Sequence, residues 1–179
     1  MAEKISSRIT TLDFSIMGLL MQNPMSGYAI RMMFEKTALA SYSSSPGTIY
    51  PALKRLEKFG MIRKAKVEEQ RQGLYEITNN GVSALTKWVV KPVTRNDIIR
   101  DMDVLMLRFA FMDVLVKRTE KKKFLISFLA ELKEYIMQLE DFRTENESTM
   151  LLSGRQAFEH GLESNKLTAR WIEKILSKL

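Results

Sequence analysis

The apolar period of this chain changes at Gly60, and that change restricts the fold more than any other feature. Before it, Ile49, Leu53 and Leu56 recur at i, i+4 and i+7, the spacing of one buried helix face. After it, residues 61–67 and 73–78 read as two strands, with Ile62 opening the first and Tyr75 and Ile77 alternating in the second. Glycine suits such a boundary because a helix often ends on a residue of positive φ, which only glycine adopts without steric cost. The linking segment, residues 68–73, is a polar hairpin tip that carries Glu68 and Glu69. Thr78-Asn79-Asn80-Gly81 then turns the chain into a further helix through Leu85 and Trp88.

Upstream of Gly60 two more helices precede the one just described. Thr11 is placed to cap a helix from Leu12, with Ile16 and Leu20 on one side, ending at the Asn23-Pro24 turn. Ser26 is placed to cap a second, with Ile30 and Phe34 one turn apart, before a polar break over residues 41–45. Ser45-Pro46 offers a cap and a first-turn proline for the third, although Pro51 leaves its start open by several residues. On a helical wheel Thr48, Tyr50, Pro51, Lys54, Arg55 and Lys58 fall opposite the apolar stripe. Three helices and a hairpin, in that order, are the arrangement of a winged helix-turn-helix, whose third helix enters a DNA major groove while the hairpin follows the backbone.

Charge falls on the same two elements. Lys and Arg outnumber Asp and Glu by 28 to 21, a net charge of +7, which suggests a polyanionic partner. Residues 1–90 hold 12 basic and 7 acidic side chains, and the remainder 16 and 14. Between Lys54 and Arg71 seven basic residues face three acids. A charge cluster is usually a solvated face; its coincidence with the third helix and the hairpin favours DNA. Lys54, Arg55 and Lys58 are then candidates for phosphates or, for Arg55, a guanine edge. Thr48 and Tyr50 suit the DNA backbone or a thymine methyl, and Ser45 lies at the start of the same helix. Ser26 and Tyr28 begin the second helix, where a backbone amide can meet a phosphate; for Tyr28, packing on the third helix is the alternative. Arg63, Lys64, Lys66 and Arg71 are wing candidates, of which only one strand face can point to DNA.

These residues resemble the successive motifs of the PadR-type transcriptional regulators. The resemblance rests on Gly18-Leu19-Leu20, Pro24, Ser26-Gly27-Tyr28-Ala29-Ile30, Gly47-Thr48-Ile49-Tyr50-Pro51-Ala52-Leu53-Lys54-Arg55-Leu56-Glu57, Gly60-Met61-Ile62 and Tyr75-Glu76-Ile77-Thr78-Asn79-Asn80-Gly81. The segments DMDVLMLRFAF, residues 101–111, and GLESNKLTARWIEKILSKL, residues 161–179, resemble the larger members more loosely. The resemblance implies a two-domain protomer whose C-terminal helices form a homodimer. It further implies a repressor released by a small molecule, in some members a phenolic acid; a two-fold dimer would read an operator of two half-sites about one helical turn (~34–36 Å) apart.

Residues 90–95, with Pro92, interrupt the helical pattern and place the expected boundary between a winged-helix domain, residues 1–90, and a helical domain, residues 91–179. From Asn96 the apolar positions Ile98, Met102, Leu105, Phe109, Met112 and Val116 step by four and three along one face of a single long helix. Residues 117–123 then read as a basic turn. Beyond it Leu125, Leu129, Leu132, Ile136 and Leu139 repeat the alternation, while Phe128, Tyr135 and Phe142 form a second row at sevens. Two apolar rows suit one neighbour in the protomer and one in a partner chain, so these eight residues are the candidate dimer contacts. A monomeric bundle using both rows internally is the alternative. Leu167–Leu179, with Trp171 and Ile175, reads as an amphipathic helix closing the same bundle. Trp88, Phe109, Phe128 and Trp171 are candidates to line an effector cavity, though core packing is the commoner use of such aromatics, as it is of the twelve methionines.

Several classes of function are disfavoured. There is no cysteine and a single histidine, His160, so the usual zinc ligand sets cannot be assembled. No triad context, acid–base carboxylate pair or phosphate-binding glycine loop appears, so neither an enzyme nor a cofactor is expected. The longest apolar run, residues 16–21, is far short of the ~20 of a membrane helix. The expectation is therefore a cytoplasmic, mostly α protein with a small β-hairpin: a homodimeric regulator whose partners are double-stranded operator DNA, a second copy and a small aromatic effector. An effector-independent DNA binder and a winged-helix module that binds an acidic protein are the alternatives.

Overall fold

The computed structural model describes residues 9–37, 45–65 and 73–179. They form two compact units, Met1–Val89 and Val90–Leu179.

In the first unit α1, Thr11–Leu20, begins with a capping box rather than at the expected Thr11 cap. Thr10 caps it, and Asp13 bonds back to the Thr10 backbone. Thr10 and Asp13 stand at the spacing of that box, so a side chain satisfies the first free N–H groups of the helix. Met25–Ser26 forms β1, a strand not anticipated, and α2 follows over Gly27–Lys36. Helix α3, Pro46–Lys58, starts at the Ser45-Pro46 cap with Pro51 inside it. Its end is a Schellman motif: Gly60 N–H bonds Glu57 O at 2.9 Å, Met61 N–H bonds Leu56 O at 2.9 Å, and Gly60 has φ +66°.

Strands β2, Ile62–Lys64, and β3, Leu74–Ile77, pair antiparallel with Ile62 opposite Ile77 and Lys64 opposite Tyr75. Strand β1 joins the far edge of β3, giving the order β1-β3-β2. The unit is thus a winged helix with a three-stranded antiparallel sheet in place of a bare hairpin. Helix α4, Asn79–Val89, follows the sheet. The sheet-to-helix turn is tight. Thr78 Oγ1 donates to Gly60 O at 2.6 Å, and a Cβ on Gly81 would lie 2.2 Å from Met61 O. Ile16, Met17, Ile30, Phe34, Ile49, Leu53, Leu56 and Leu85 are fully buried and make the core, each worth about 1.5–3 kcal/mol of burial.

In the second unit the expected single helix from Asn96 is broken into α5, Arg95–Arg100, α6, Met102–Phe111, and a 3₁₀ turn, Met112–Val114. The break is at Asp101, whose backbone leaves the helical region at φ −130°, ψ +34°. Apolar spacing did not reveal it because both pieces turn the same stripe inward: Ile98, Leu105 and Met112 are all buried. Thr94 and Asp97 make a second capping box. The expected basic turn over residues 117–123 is also corrected. Only Lys117 is a cap, and Arg118 begins α7, Arg118–Asn146, so Lys121, Lys122 and Lys123 are helical. Helix α8, Leu152–Leu176, runs back along α7.

Candidate nucleic-acid interface

The outward face of α3 is built from the inside out. Ile49, Ala52, Leu53 and Leu56 are fully buried, which fixes the helix against the core and leaves Thr48, Tyr50, Pro51, Lys54 and Lys58 exposed. Ser45, also exposed, caps the helix by accepting Gly47 N–H at 3.2 Å. Tyr50 lies where its ring edge would be 2.7 Å from a Cβ on Gly27, so a glycine is needed for α2 and α3 to meet there. Tyr28 is 61% exposed, with the Arg31 guanidinium 5.5 Å from its ring centre. Ser26 caps α2 by accepting Ala29 N–H at 3.1 Å.

Arg55, expected at a phosphate or a guanine edge, faces a carboxylate within its own unit. Its Nη2 donates to Asp13 Oδ1 at 2.7 Å and its Nε to Asp13 Oδ2 at 3.2 Å. The Asp13 side chain is 1% exposed and that of Arg55 34%. A buried carboxylate needs a partner, and the forked guanidinium supplies two parallel bonds. Arg55 therefore belongs to the packing of α3 on α1, and Lys54 and Lys58 remain as the exposed cations of the helix.

On the wing, Lys64 is exposed with its ammonium 3.5 Å from the Tyr75 ring centre, and Arg63 pairs with Glu76 at 2.6 Å. Lys66 and Arg71 lie outside the described residues.

The candidate dimer and effector residues divide. Leu125, Phe128 and Leu132 are fully buried within the second unit, so they offer a partner no surface. Leu129, Tyr135, Ile136 and Leu139 are half-buried, and the Arg95 guanidinium covers the Tyr135 ring at 4.4 Å. Phe142 is exposed beside Phe158 at 5.6 Å. The apolar side chains that α7 does expose include Ile126 and Met137, eleven residues apart and so nearly on one face. The outward row is thus displaced from the expected sevens, because Phe128 turns inward to Phe124.

The four effector aromatics are divided between the units. Trp88 stacks on Phe14 at 4.6 Å in the first unit; Phe109 meets Trp171 edge-on at 5.3 Å; Phe128 is core. A cavity of about 260 Å³ lies elsewhere in the second unit, lined by Val90, Lys91, Pro92, Val93, Glu120, Lys123, Phe124 and Ser127. Beneath it Arg108, 2% exposed, donates to the Lys91 carbonyl and lies 4.9 Å from the Phe124 ring centre. Burial lowers its pKa from the ordinary arginine value, and Asp97 raises it part of the way back. Arg108 interrupts an apolar run, Leu105 to Phe111, and a lone charge in such a run was the available signal of a buried role.

An exposed, basic third helix on a helix-turn-helix, followed by a paired wing, defines the winged-helix class. Residues 16–87 match the Transcriptional regulator PadR-like family, and the chain carries a PadR-like domain. The chain is similar to the Negative transcriptional regulator PadR of Bacillus subtilis (strain 168), at 24% identity over 94% of this chain and 97% of that one. Among solved structures it is similar to Bacillus subtilis PadR in complex with p-coumaric acid, at TM-score 0.45 and 24% identity over 94% of this chain and 98% of that one. It is also similar to the same protein in complex with operator DNA, at TM-score 0.41 and 25% identity over 94% and 99%. Among the described residues no helix is long and apolar enough to cross a membrane.

Proposed function

We propose that this chain is a cytoplasmic, homodimeric, DNA-binding transcriptional regulator that represses from an operator with two-fold symmetry and has no enzymatic activity. The observation that carries the reading is the face of α3: Thr48, Tyr50, Lys54 and Lys58 exposed together on a helix whose other side is fully buried. Such a face suits a major groove, with lysines on phosphates and the hydroxyl side chains near base edges. One winged helix covers few base pairs, so a dimer whose recognition helices reach half-sites ~34–36 Å apart adds both reach and affinity. Ile126 and Met137 are apolar surface on one face of α7 that a second copy would cover. Repression is the sign carried by the name of the Bacillus subtilis relative.

The cavity beside Phe124 supports an effector arm. Val93 and Phe124 give it apolar walls, and Lys91 and Lys123 give it two cations against the one carboxylate of Glu120, a net positive lining that suits a small aromatic acid. A ligand there touches residues 90–93, where the chain passes from one unit to the next. It would thereby change the spacing of the two recognition helices.

Selection of genomic fragments by the purified protein tests the reading. Enrichment of an inverted repeat, bound by two chains in sedimentation, is the expected result. Absence of any enriched sequence would overturn it.

A further inference from the structure

We propose that Arg55 is a positioning residue of the DNA-binding surface: through Asp13 it fixes the rotation of α3 about its own axis, and hence the direction of Thr48, Lys54 and Lys58. The inference rests on the function proposed above.

The geometry of Asp13 makes it an anchor. Its Oδ2 accepts the Thr10 backbone N–H at 2.8 Å and the Thr10 hydroxyl at 3.0 Å, and Arg55 Nε donates to the same oxygen at 3.2 Å. Its Oδ1 accepts Arg55 Nη2 at 2.7 Å. The carboxylate is thus tied to the first turn of α1 and has no freedom to follow α3. Two parallel bonds between planar groups fix orientation as well as distance.

Arg55 follows Lys54 directly and precedes Lys58 by three residues, so its tether, added to the buried apolar stripe, narrows where both lysines point. At the ~5–6 Å radius of a helix surface, a rotation of about 20° moves a side chain by about 2 Å. That is enough to break a hydrogen bond to a base edge. Since the guanidinium already faces a carboxylate, Arg55 adds little to the cations that displace counterions from DNA.

The pair separates this role from direct contact because its two members carry opposite charge. As a DNA contact, Arg55→Gln would lower the salt slope of binding by about 0.9. Asp13→Asn, which removes a negative charge, would leave operator affinity unchanged or raise it. As a positioning pair, both variants lose discrimination between operator and random DNA by about tenfold, comparable to one mismatched base pair. The salt slope of Arg55→Gln stays parental. Arg55→Lys keeps the charge and loses the fork, so it too is expected to lose discrimination. A parental operator-to-random ratio in Arg55→Lys would overturn the proposal, as would the slope change in Arg55→Gln.

Hydrogen exchange on the free protein provides a readout without DNA. The amides of α3 are expected to exchange faster in Asp13→Asn and Arg55→Lys than in the parent, with α7 as internal reference. Unchanged α3 exchange in both overturns the proposal. If the parent binds no DNA at all, the functional reading fails, and the exchange result still decides whether the pair holds α3.

Discussion

Among the described residues of the first unit, the helices are placed on their common core by contacts that occur once. Gly81 backs onto the Met61 carbonyl, Gly27 accepts the Tyr50 ring, and Asp13 holds Arg55. The two long helices of the second unit are also joined by contacts that repeat. Lys133 pairs with Glu173 at 2.6 Å, Glu140 with Lys166 at 2.9 Å, Arg143 with Glu159 at 3.4 Å and Glu147 with Arg155 at 3.8 Å. Successive rungs share the antiparallel register, so loss of any one leaves the others to hold it. A surface that must present side chains to a fixed grid of phosphates requires single, exacting contacts. A helical hairpin requires only that its register be kept.

The sharpest way to break this comparison is Gly81→Ala. The added Cβ meets backbone rather than a flexible side chain, so a loss of about 3 kcal/mol or more is expected, read as a fall in thermal midpoint. Next is Arg55→Gln, which leaves the buried carboxylate of Asp13 its bonds to Thr10 and removes its cationic partner. A loss of about 2–3 kcal/mol is expected in denaturant unfolding, less than for a fully buried pair because the guanidinium is one-third exposed.

The opposite sign is expected at Gly161, inside α8, where a Cβ would meet nothing within 4 Å. Gly161→Ala should stabilise by about 0.5–1 kcal/mol, since alanine loses less backbone entropy in a helix. If both glycine substitutions shift the midpoint in the same direction, the contrast between the units is wrong.

The smallest effect belongs to the ion-pair rungs. Lys166 holds the Glu140 carboxyl below its ordinary 4.5, first through their hydrogen bond and then through its charge. In return, Glu140 and then Glu163 raise the Lys166 ammonium above 10.5. A depressed carboxyl stabilises the fold above its unfolded pKa and loses that contribution as pH falls through the folded value; the raised lysine loses its share only in strong base. Glu140→Gln should therefore flatten the acid limb of the stability–pH curve below about pH 4.5 and leave neutral stability nearly unchanged. Both side chains are partly exposed, Lys166 at 26% and Glu140 at 42%, so the effect is read as a change of slope.

Much of the first unit was legible because its signals are local. The Ser26 and Ser45 caps, Gly60 at the helix end and the alternation of Tyr75 and Ile77 each specify backbone geometry within a few residues. The Asp13–Arg55 pair was not legible, because its members stand 42 residues apart and a basic residue on a wheel looks the same whether it faces water or an acid. The break at Asp101 was hidden for the reason that makes periodicity useful: a stripe continues across a kink when both pieces face one core. The direction of Phe128 was similarly ambiguous. Two apolar rows on α7 leave open which row is inside, and only packing decides it.

The exposed cations of α3, Lys54 and Lys58, are the side chains on which the proposed DNA contact most depends. Titration of the selected DNA site at several salt concentrations, with the parent, Lys54→Ala and Lys58→Ala, tests them directly. Each substitution is expected to weaken binding and to reduce the slope of log affinity against log salt by about 0.9, one phosphate contact apiece. Parental affinity and slope in both variants would contradict the assignment of this face to DNA.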